Sequence, residues 1–316
     1  MDPVLTTLYN NNFKASLEIL EKKRKNIIVS SLLEVIVTAL VITSIYFILP
    51  SYKIVVSSIL VLVAFRILRK RIKGKVSEFN LKYKQSVVQP ISELMQGDLS
   101  YEPTVGIPQD VFETINLVKG NYDHYTSSDL FIGSIGETHF EFAEVCIKEN
   151  QSTDSTLFKT KLKLFEGLVF IANFNKSTTG KTIICPDIFG GKYGKLAALA
   201  MKEIFPTSGL ERVKLEDPLF ESHFEVFGSD QVETRYIIST SLMERLLTMR
   251  SKGFHIGASF EENNLYLLVF LNRKLFNASV FRSVKNEDKL ISIIENLTFM
   301  TDVVSTLNLN NRIYTT

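Results

Sequence analysis

The side chains with the most chemical promise are few. The run Phe189-Gly190-Gly191-Lys192-Tyr193-Gly194-Lys195 stands just before a helix-like segment, Lys195 to Phe205. Glycines and lysines ahead of a helix N-terminus can hold phosphate, because backbone N–H groups and the helix dipole both favour an anion there. Lys181, Lys192 and Lys195 are the cations that would share a phosphate or a lipid headgroup if they converge. The spacing is neither GxxxxGK[ST] nor GxGxxG, and a plain glycine-rich turn accounts for the same residues.

Four histidines occur, His124, His139, His223 and His255, none in metal-ligand spacing. No metal site and no cofactor is expected. His139 alternates with aromatic neighbours, as a strand residue does. His223 lies between Glu221 and Glu225, but acid–base roles are set by geometry rather than by sequence proximity. There is no nucleophile elbow. Asp217-Pro218 reads as a turn start. Asp217, Glu221, Asp230, Glu233 and Arg235 read as solvated loop charge, with an acidic interaction surface as the alternative. No catalytic residue is assigned. If the chain is an enzyme, His223, Asp217 and Lys192 are its candidates.

A second pair of charges sits in unusual surroundings. Glu34 falls inside the apolar run Ile27–Leu49, and Arg66 inside the second run, Ile54–Leu68. Only Pro50-Ser51-Tyr52-Lys53 separates the two runs. A membrane-crossing helix needs about 20 mostly apolar residues. The first run meets that alone; the second is short and relies on flanking residues that snorkel. The expectation is a transmembrane helical hairpin over 27–68. Counted from the turn, Glu34 and Arg66 sit at similar depth, roughly 22–26 Å away at the helical rise. They either pair across the hairpin or snorkel separately to the interface. Ser30, Ser31, Thr38, Thr43, Ser57 and Ser58 are expected to serve helix contact.

Flanking charge orients the hairpin. Lys22, Lys23, Arg24 and Lys25 precede it; Arg66, Arg69, Lys70, Arg71, Lys73 and Lys75 close it; the turn carries only Lys53. Basic flanks stay cytoplasmic, so the expected topology is multi-pass with both termini cytoplasmic. The same collar attracts anionic lipid headgroups. Its position beside an apolar hairpin argues against nucleic acid. A buried hairpin in a soluble core fits the two basic open ends poorly, and a cleaved signal peptide fits the late, long, doubled run poorly.

The 316-residue chain has a formal net charge of +2, with its basic excess beside the hairpin. Cys146 and Cys185 are its only cysteines and lack CxxC spacing, so neither a disulfide framework nor a zinc site is expected. Asn-x-Ser/Thr triplets at Asn150, Asn175, Asn277 and Asn296 are chance matches if the domain is cytoplasmic.

Residues 1–26 read as an amphipathic cytoplasmic helix. Phe65, Leu68, Ile72, Val76, Phe79, Tyr83 and Val87 form a helical stripe that Pro90 ends or kinks. Residues 69–120 are thus a helical stalk and linker, with a short helix from Gln109 to Lys119 stopped by Gly120. The stripe is about three heptads long, near the lower limit for a coiled coil, which leaves homo-oligomerisation open.

Residues 121–316 read as an α+β domain on an antiparallel sheet. Strands are expected at Leu130–Gly133, Thr138–Val145, Gly167–Phe174, Thr182–Pro186, Val213–Leu215 and Phe224–Phe227. Capping-box spacing marks Asp230/Glu233 and Ser241/Glu244. A hairpin is expected from His255 to Leu271 with Glu261–Asn264 as its turn. An amphipathic helix from Glu287 to Leu307 closes the chain. A pleckstrin-homology-like barrel capped by that helix is one architecture of this kind.

The segment LEDPLFESHFEVFGSDQVETRY (215–236), with FEGLVF (165–170) and Met243-Glu244-Arg245-Leu246, resembles an uncharacterised bacterial family, domain of unknown function three-one-three-seven. The resemblance covers most of the chain from about Pro90 onward. It implies a bacterial inner-membrane protein pairing an N-terminal hairpin with a soluble domain of this size, and it brings no catalytic residues. The combined expectation is a membrane-anchored cytoplasmic binding or scaffold module with a protein or lipid partner. A membrane-bound enzyme with an unrecognised site is the alternative.

Overall fold

A computed structural model describes residues 13–48, 53–95, 98–118, 122–150, 161–173, 178–186, 205–271 and 274–306. Two compact units divide the chain, Met1–Ile91 with Phe276–Ile293, and Ser92–Leu275 with Ile294–Thr316.

The first unit is built on two long helices. Helix α1 runs Lys14–Ile48 without interruption. No Gly or Pro occurs in it, so nothing breaks the hydrogen-bond ladder. The helix expected separately over 1–26 is therefore, from Lys14 on, the first turns of α1; residues 1–12 lie outside the described residues, as does the expected turn over 50–52. Helix α2 runs Lys53–Tyr83 and continues through a π-helical turn, Lys84–Val88, into the short α3, Gln89–Ser92. The widened turn sits just ahead of Pro90, whose ring would clash with the carbonyl four residues earlier in a regular α-helix. Pro90 thus shifts the ladder and the helix goes on.

Among the described residues, α1 is the one helix long and apolar enough to cross a membrane. After its first residue, helix α2 is free of charge only as far as Phe65; beyond that it carries Arg66, Arg69, Lys70, Arg71, Lys73 and Lys75.

The second unit holds a nine-strand antiparallel sheet. Its elements are β1 (Ser100–Glu102), α4 (Gln109–Ile115), β2 (His124–Ile135), β3 (Thr138–Asn150), β4 (Lys161–Asn173), β5 (Thr182–Pro186), β6 (Glu211–Val213), α5 (Pro218–Glu221), β7 (Phe224–Gly228), α6 (Gln231–Ile237), α7 (Thr240–Ser251), β8 (His255–Glu261) and β9 (Asn264–Phe270). Helix α8 (Glu287–Thr306) follows. The strand order is β1-β2-β3-β4-β9-β8-β5-β7-β6. Among the described residues no ladder joins β1 to β6, so these strands form an open sheet and not the pleckstrin-homology-like barrel considered from sequence. Long antiparallel strands with distinct edges are the reason.

Several boundaries move. Residues 100–102, expected in a linker, pair with β2 through Tyr101 and Phe131. Helix α4 stops at Ile115, because Asn116 adopts the left-handed conformation (φ 44°) and caps it; Gly120 is not the stop. The β8–β9 turn is tighter than expected, with Glu262 and Asn263 at φ 49° and 62° as its two central residues. Helix α7 starts at Thr240 after Ser239, so Ser241 is not its cap. The helix expected over Lys195–Phe205 lies, up to residue 204, outside the described residues.

The core lies on both faces of the sheet. Phe112, Ile115, Leu117 and Val118 pack with Val145, Ile147, Phe165, Val169, Ile183 and Leu268 on one side. The other face of β2–β4 carries an aromatic column: Tyr101 stacks on Phe131 at 4.4 Å, and Phe131 on Phe142 at 4.6 Å. Phe142 is level with Phe170, 6.3 Å away. Two covered faces explain why β4 reads as a continuous apolar run and not an alternating one. Cys146 and Cys185 are both buried and joined in no disulfide among the described residues.

Candidate functional site

Helices α1 and α2 pair through a narrow inner stripe and leave their apolar sides outward. Of the 29 large apolar side chains exposed among the described residues, 20 lie on these helices between Ile28 and Ile67. The inner stripe carries the polar contacts. Lys75 Nζ lies 2.9 Å from Glu34 Oε1 and donates to Ser30 Oγ at 2.9 Å. Lys23 pairs with Glu78 at 2.9 Å. The hydroxyls of Thr38, Thr43, Ser57 and Ser58 donate to carbonyls one turn back.

Glu34 therefore pairs with Lys75 and not with Arg66. Arg66 and Lys75 are about two and a half turns apart and project from opposite sides of α2. The burial pattern of α2 shows the same rule. Its covered stripe runs Ala64, Leu68, Ile72, Lys75 and Phe79, with Arg66 exposed between the first two. Lys75 also lies roughly 13 Å farther along α2 than Arg66, so counting residues from the turn misses the partner in depth as well as in rotation.

Just before the apolar run, α1 holds a segment from much later in the chain. Glu21 accepts Arg24 Nη2 at 2.6 Å and Nε at 3.0 Å. The same carboxylate accepts the Ser283 hydroxyl and the Val284 N–H, each at 3.2 Å. Arg24 Nη1 donates to the Val280 carbonyl at 2.7 Å. Glu21 is buried. Its carboxyl is held down at about 2, first by the hydrogen bond from Arg24, against the upward push of burial, with Val284 N–H and Ser283 adding to the lowering. No sequence signal pointed to this clamp. An i,i+3 Glu–Arg pair is common on exposed helices, and only its burial makes it informative.

The remaining candidates that fall on described residues take part in contacts within the sheet unit. Lys181 Nζ pairs with Glu261 at 2.7 Å. Beside it, the Thr179 and Gly180 N–H groups donate to the Glu233 carboxylate at 2.7 and 2.8 Å. An N–H pair that could hold an anion is filled by the chain's own carboxylate. Lys192 and Lys195 lie outside the described residues. Asp230 Oδ1 accepts the Glu233 N–H at 2.7 Å and caps α6, as its spacing predicts. Asp217 caps α5, accepting the Leu219 and Phe220 N–H groups. Glu221 accepts the Leu215 N–H at 2.9 Å. His223 follows α5, its N–H bonded to the Phe220 carbonyl. His255 contacts Arg250; burial, then the Arg250 charge, push its imidazole below the usual range.

One polar cluster escaped the sequence reading. Asp129 is fully buried at a bulge in β2, with φ 63°. It accepts Tyr101 Oη at 2.6 Å and Ser128 Oγ at 2.8 Å. Burial first, then the Asp129 charge, raise the Tyr101 phenol far above its ordinary value, so it stays a donor. Both carboxylate oxygens of Asp129 hold donors from the chain itself. The cluster pins the bulge, and its burial keeps it from solvent chemistry. No periodicity in the run Ser127-Ser128-Asp129 foretells a bulge.

A long apolar helix paired with a second helix, and a nine-strand antiparallel sheet, define an α+β protein. Residues 163–309 match the model of the family described as Protein of unknown function (DUF3137). No curated protein matches the chain. A solved mycobacterial structure, that of the trehalose monomycolate transport factor A, TtfA, superposes with a TM-score of 0.33 at 10% identity, covering 71% of this chain and 94% of that one.

Proposed function

We propose that this protein is a membrane-anchored binding or scaffold module. Its helix pair spans the bilayer as a hairpin, both termini are cytoplasmic, and the sheet unit is held near the cytoplasmic face for a protein or lipid partner. The observation that carries this reading is the outward apolar surface of α1 and α2. Half-exposed apolar side chains of this size gain about 1 kcal/mol each on leaving water. Twenty of them together outweigh the roughly 5–15 kcal/mol that holds a domain folded. A surface of that size demands a cover, and a bilayer covers both helices at once. The basic residues Lys22 to Lys25 and Arg69 to Lys75 lie at one end of the pair, the arrangement expected of a cytoplasmic end.

The sheet unit's titratable groups favour binding over catalysis. Asp217, Asp230, Glu233 and Asp129 are spent on caps, a loop and a bulge. An anchor raises the effective concentration of such a module for partners in the same membrane.

The test is fractionation of the full chain expressed in bacteria. It should stay in the membrane pellet through an alkaline carbonate wash. Protease added outside spheroplasts should leave the sheet unit intact, and permeabilisation should expose it. Recovery in the soluble fraction, or digestion from outside, would overturn the proposal.

A further inference from the structure

Residues 278–285 are laid along the helix pair in a fixed order. Lys285 Nζ is 3.8 Å from Glu18. Ser283 and Val284 bond Glu21, and the Val280 carbonyl bonds Arg24. The Ala278 N–H then bonds Asn80 Oδ1 at 2.9 Å, close in α2 to Glu78, the partner of Lys23. Read from 285 down to 280, the segment climbs α1 toward the apolar run, and by 278 it has turned back. Its apex, residues 279–282, is the part nearest Ile27, which lies roughly one helical turn beyond Arg24.

At that apex Phe281 is 86% exposed, the most exposed of the large apolar side chains described. Arg282 beside it is exposed as well. The backbone turns there: the Phe281 N–H donates to Ser279 Oγ at 3.2 Å. Lys22 and Lys25 are exposed at the same level of α1. An exposed Phe is ordinary when scattered on a surface. Here it is clamped beside the basic collar and next to an apolar segment, where aromatic and cationic side chains are favoured at a lipid interface.

We infer that Phe281 and Arg282 form a second membrane contact: the ring seats in the interfacial zone of the leaflet at the basic end of the helix pair, and the guanidinium meets anionic lipid headgroups. This contact rests on the anchoring proposed above. It ties the segment leading into α8 to the bilayer surface as well as to α1.

The chain contains no tryptophan, so Phe281→Trp installs a single fluorescent reporter at an outward-facing site. Leu40→Trp, outward-facing in the apolar run, reports the anchor. Each full-length variant is reconstituted into phosphatidylcholine vesicles with or without phosphatidylglycerol, some lipids being brominated near the headgroup end of the acyl chain. F281W should emit to the blue of aqueous tryptophan and be quenched by the brominated lipid, more strongly with phosphatidylglycerol. Arg282→Glu in that background should abolish the phosphatidylglycerol enhancement; its persistence would overturn the headgroup contact. If F281W is quenched by aqueous iodide and not by lipid while L40W reports lipid, the second contact is refuted and the anchor stands. If L40W also reports water, the anchor is refuted and the contact with it.

Discussion

Buried Glu21 and half-buried Arg24, one turn apart on α1, form an ion pair that also grips the backbone of residues 280–284. The pair joins an N-terminal helix to the segment that leads into the C-terminal one. A buried pair is informative because each partner is costly to leave alone. Here Arg24 Nε, Nη1 and Nη2 each have an acceptor, so the clamp is a fixed joint.

Replacing Glu21 by Ala should free that joint. The Arg24 guanidinium and the Val284 N–H would lose a charged acceptor, and hydrogen bonds to charged groups contribute about 1.5–3 kcal/mol each. Hydrogen exchange on the full chain in detergent should show the Val284 amide exchanging roughly ten- to a hundredfold faster. Unchanged protection would mean the segment is held by its apolar contacts, such as buried Val284, alone.

The clamp should also respond to acid. The Glu21 carboxyl is lowered from 4.5 to about 2 in the folded protein, chiefly by Arg24. The unfolded chain then binds the proton more readily, so the stabilisation is full above 4.5 and is lost as pH falls toward 2. Protection of Val284 should be flat near neutrality and decline over that acid range; in E21Q the decline should vanish.

His255 gives a separate acid response in the sheet unit. Its neutral form is favoured by burial and by Arg250, below an ordinary value of 6.5. Its stabilising contribution is therefore present above 6.5 and lost as pH falls through the lowered folded value. Urea midpoints of the full chain should begin to drop below about pH 6.5, and His255→Gln should remove that early part of the drop.

Lys75, not Arg66, should couple to Glu34. Glu34→Lys and Lys75→Glu should each weaken the helix pair, and the double swap should recover it. A partly exposed pair of this kind is worth about 0.2–1 kcal/mol. A double-mutant cycle on reversible unfolding in mixed micelles measures it. Arg66→Glu combined with Glu34→Lys should show no coupling.

In the sheet unit, Tyr101→Phe keeps the ring stacked on Phe131 and removes the hydroxyl from Asp129. Leaving a buried acceptor short of a donor costs about 1–3 kcal/mol, read as a lower urea midpoint. Gly167→Ala should be harsher. A Cβ there would lie 1.9 Å from the Val269 carbonyl oxygen on the neighbouring strand, whereas one at Gly74 meets nothing within 4 Å. G167A should fail to accumulate as folded protein, and G74A should stabilise α2 by about 0.5–1 kcal/mol.

The amino-acid sequence alone determined the elements whose physics is local. Apolar length marks α1 because a run of such residues is costly to solvate whatever surrounds it. The Asp217 and Asp230 caps follow from side chains reaching their own next turn. The β8–β9 hairpin follows from alternation around a polar turn. Only the tertiary structure decided the rest, because those choices depend on rotation, burial and chain closure over long separations. Lys75 meets Glu34 because of helix phase and of the offset between the two helices, neither of which counting from the turn supplies. Lys181 is paired with Glu261, a partner eighty residues away that arrives only through the sheet. Asp129 is tolerated inside the fold because Tyr101, from an edge strand that read as linker, supplies its proton donor. The Glu21–Arg24 joint exists because residues 280–284 return to α1, and no periodicity in the chain encodes that return.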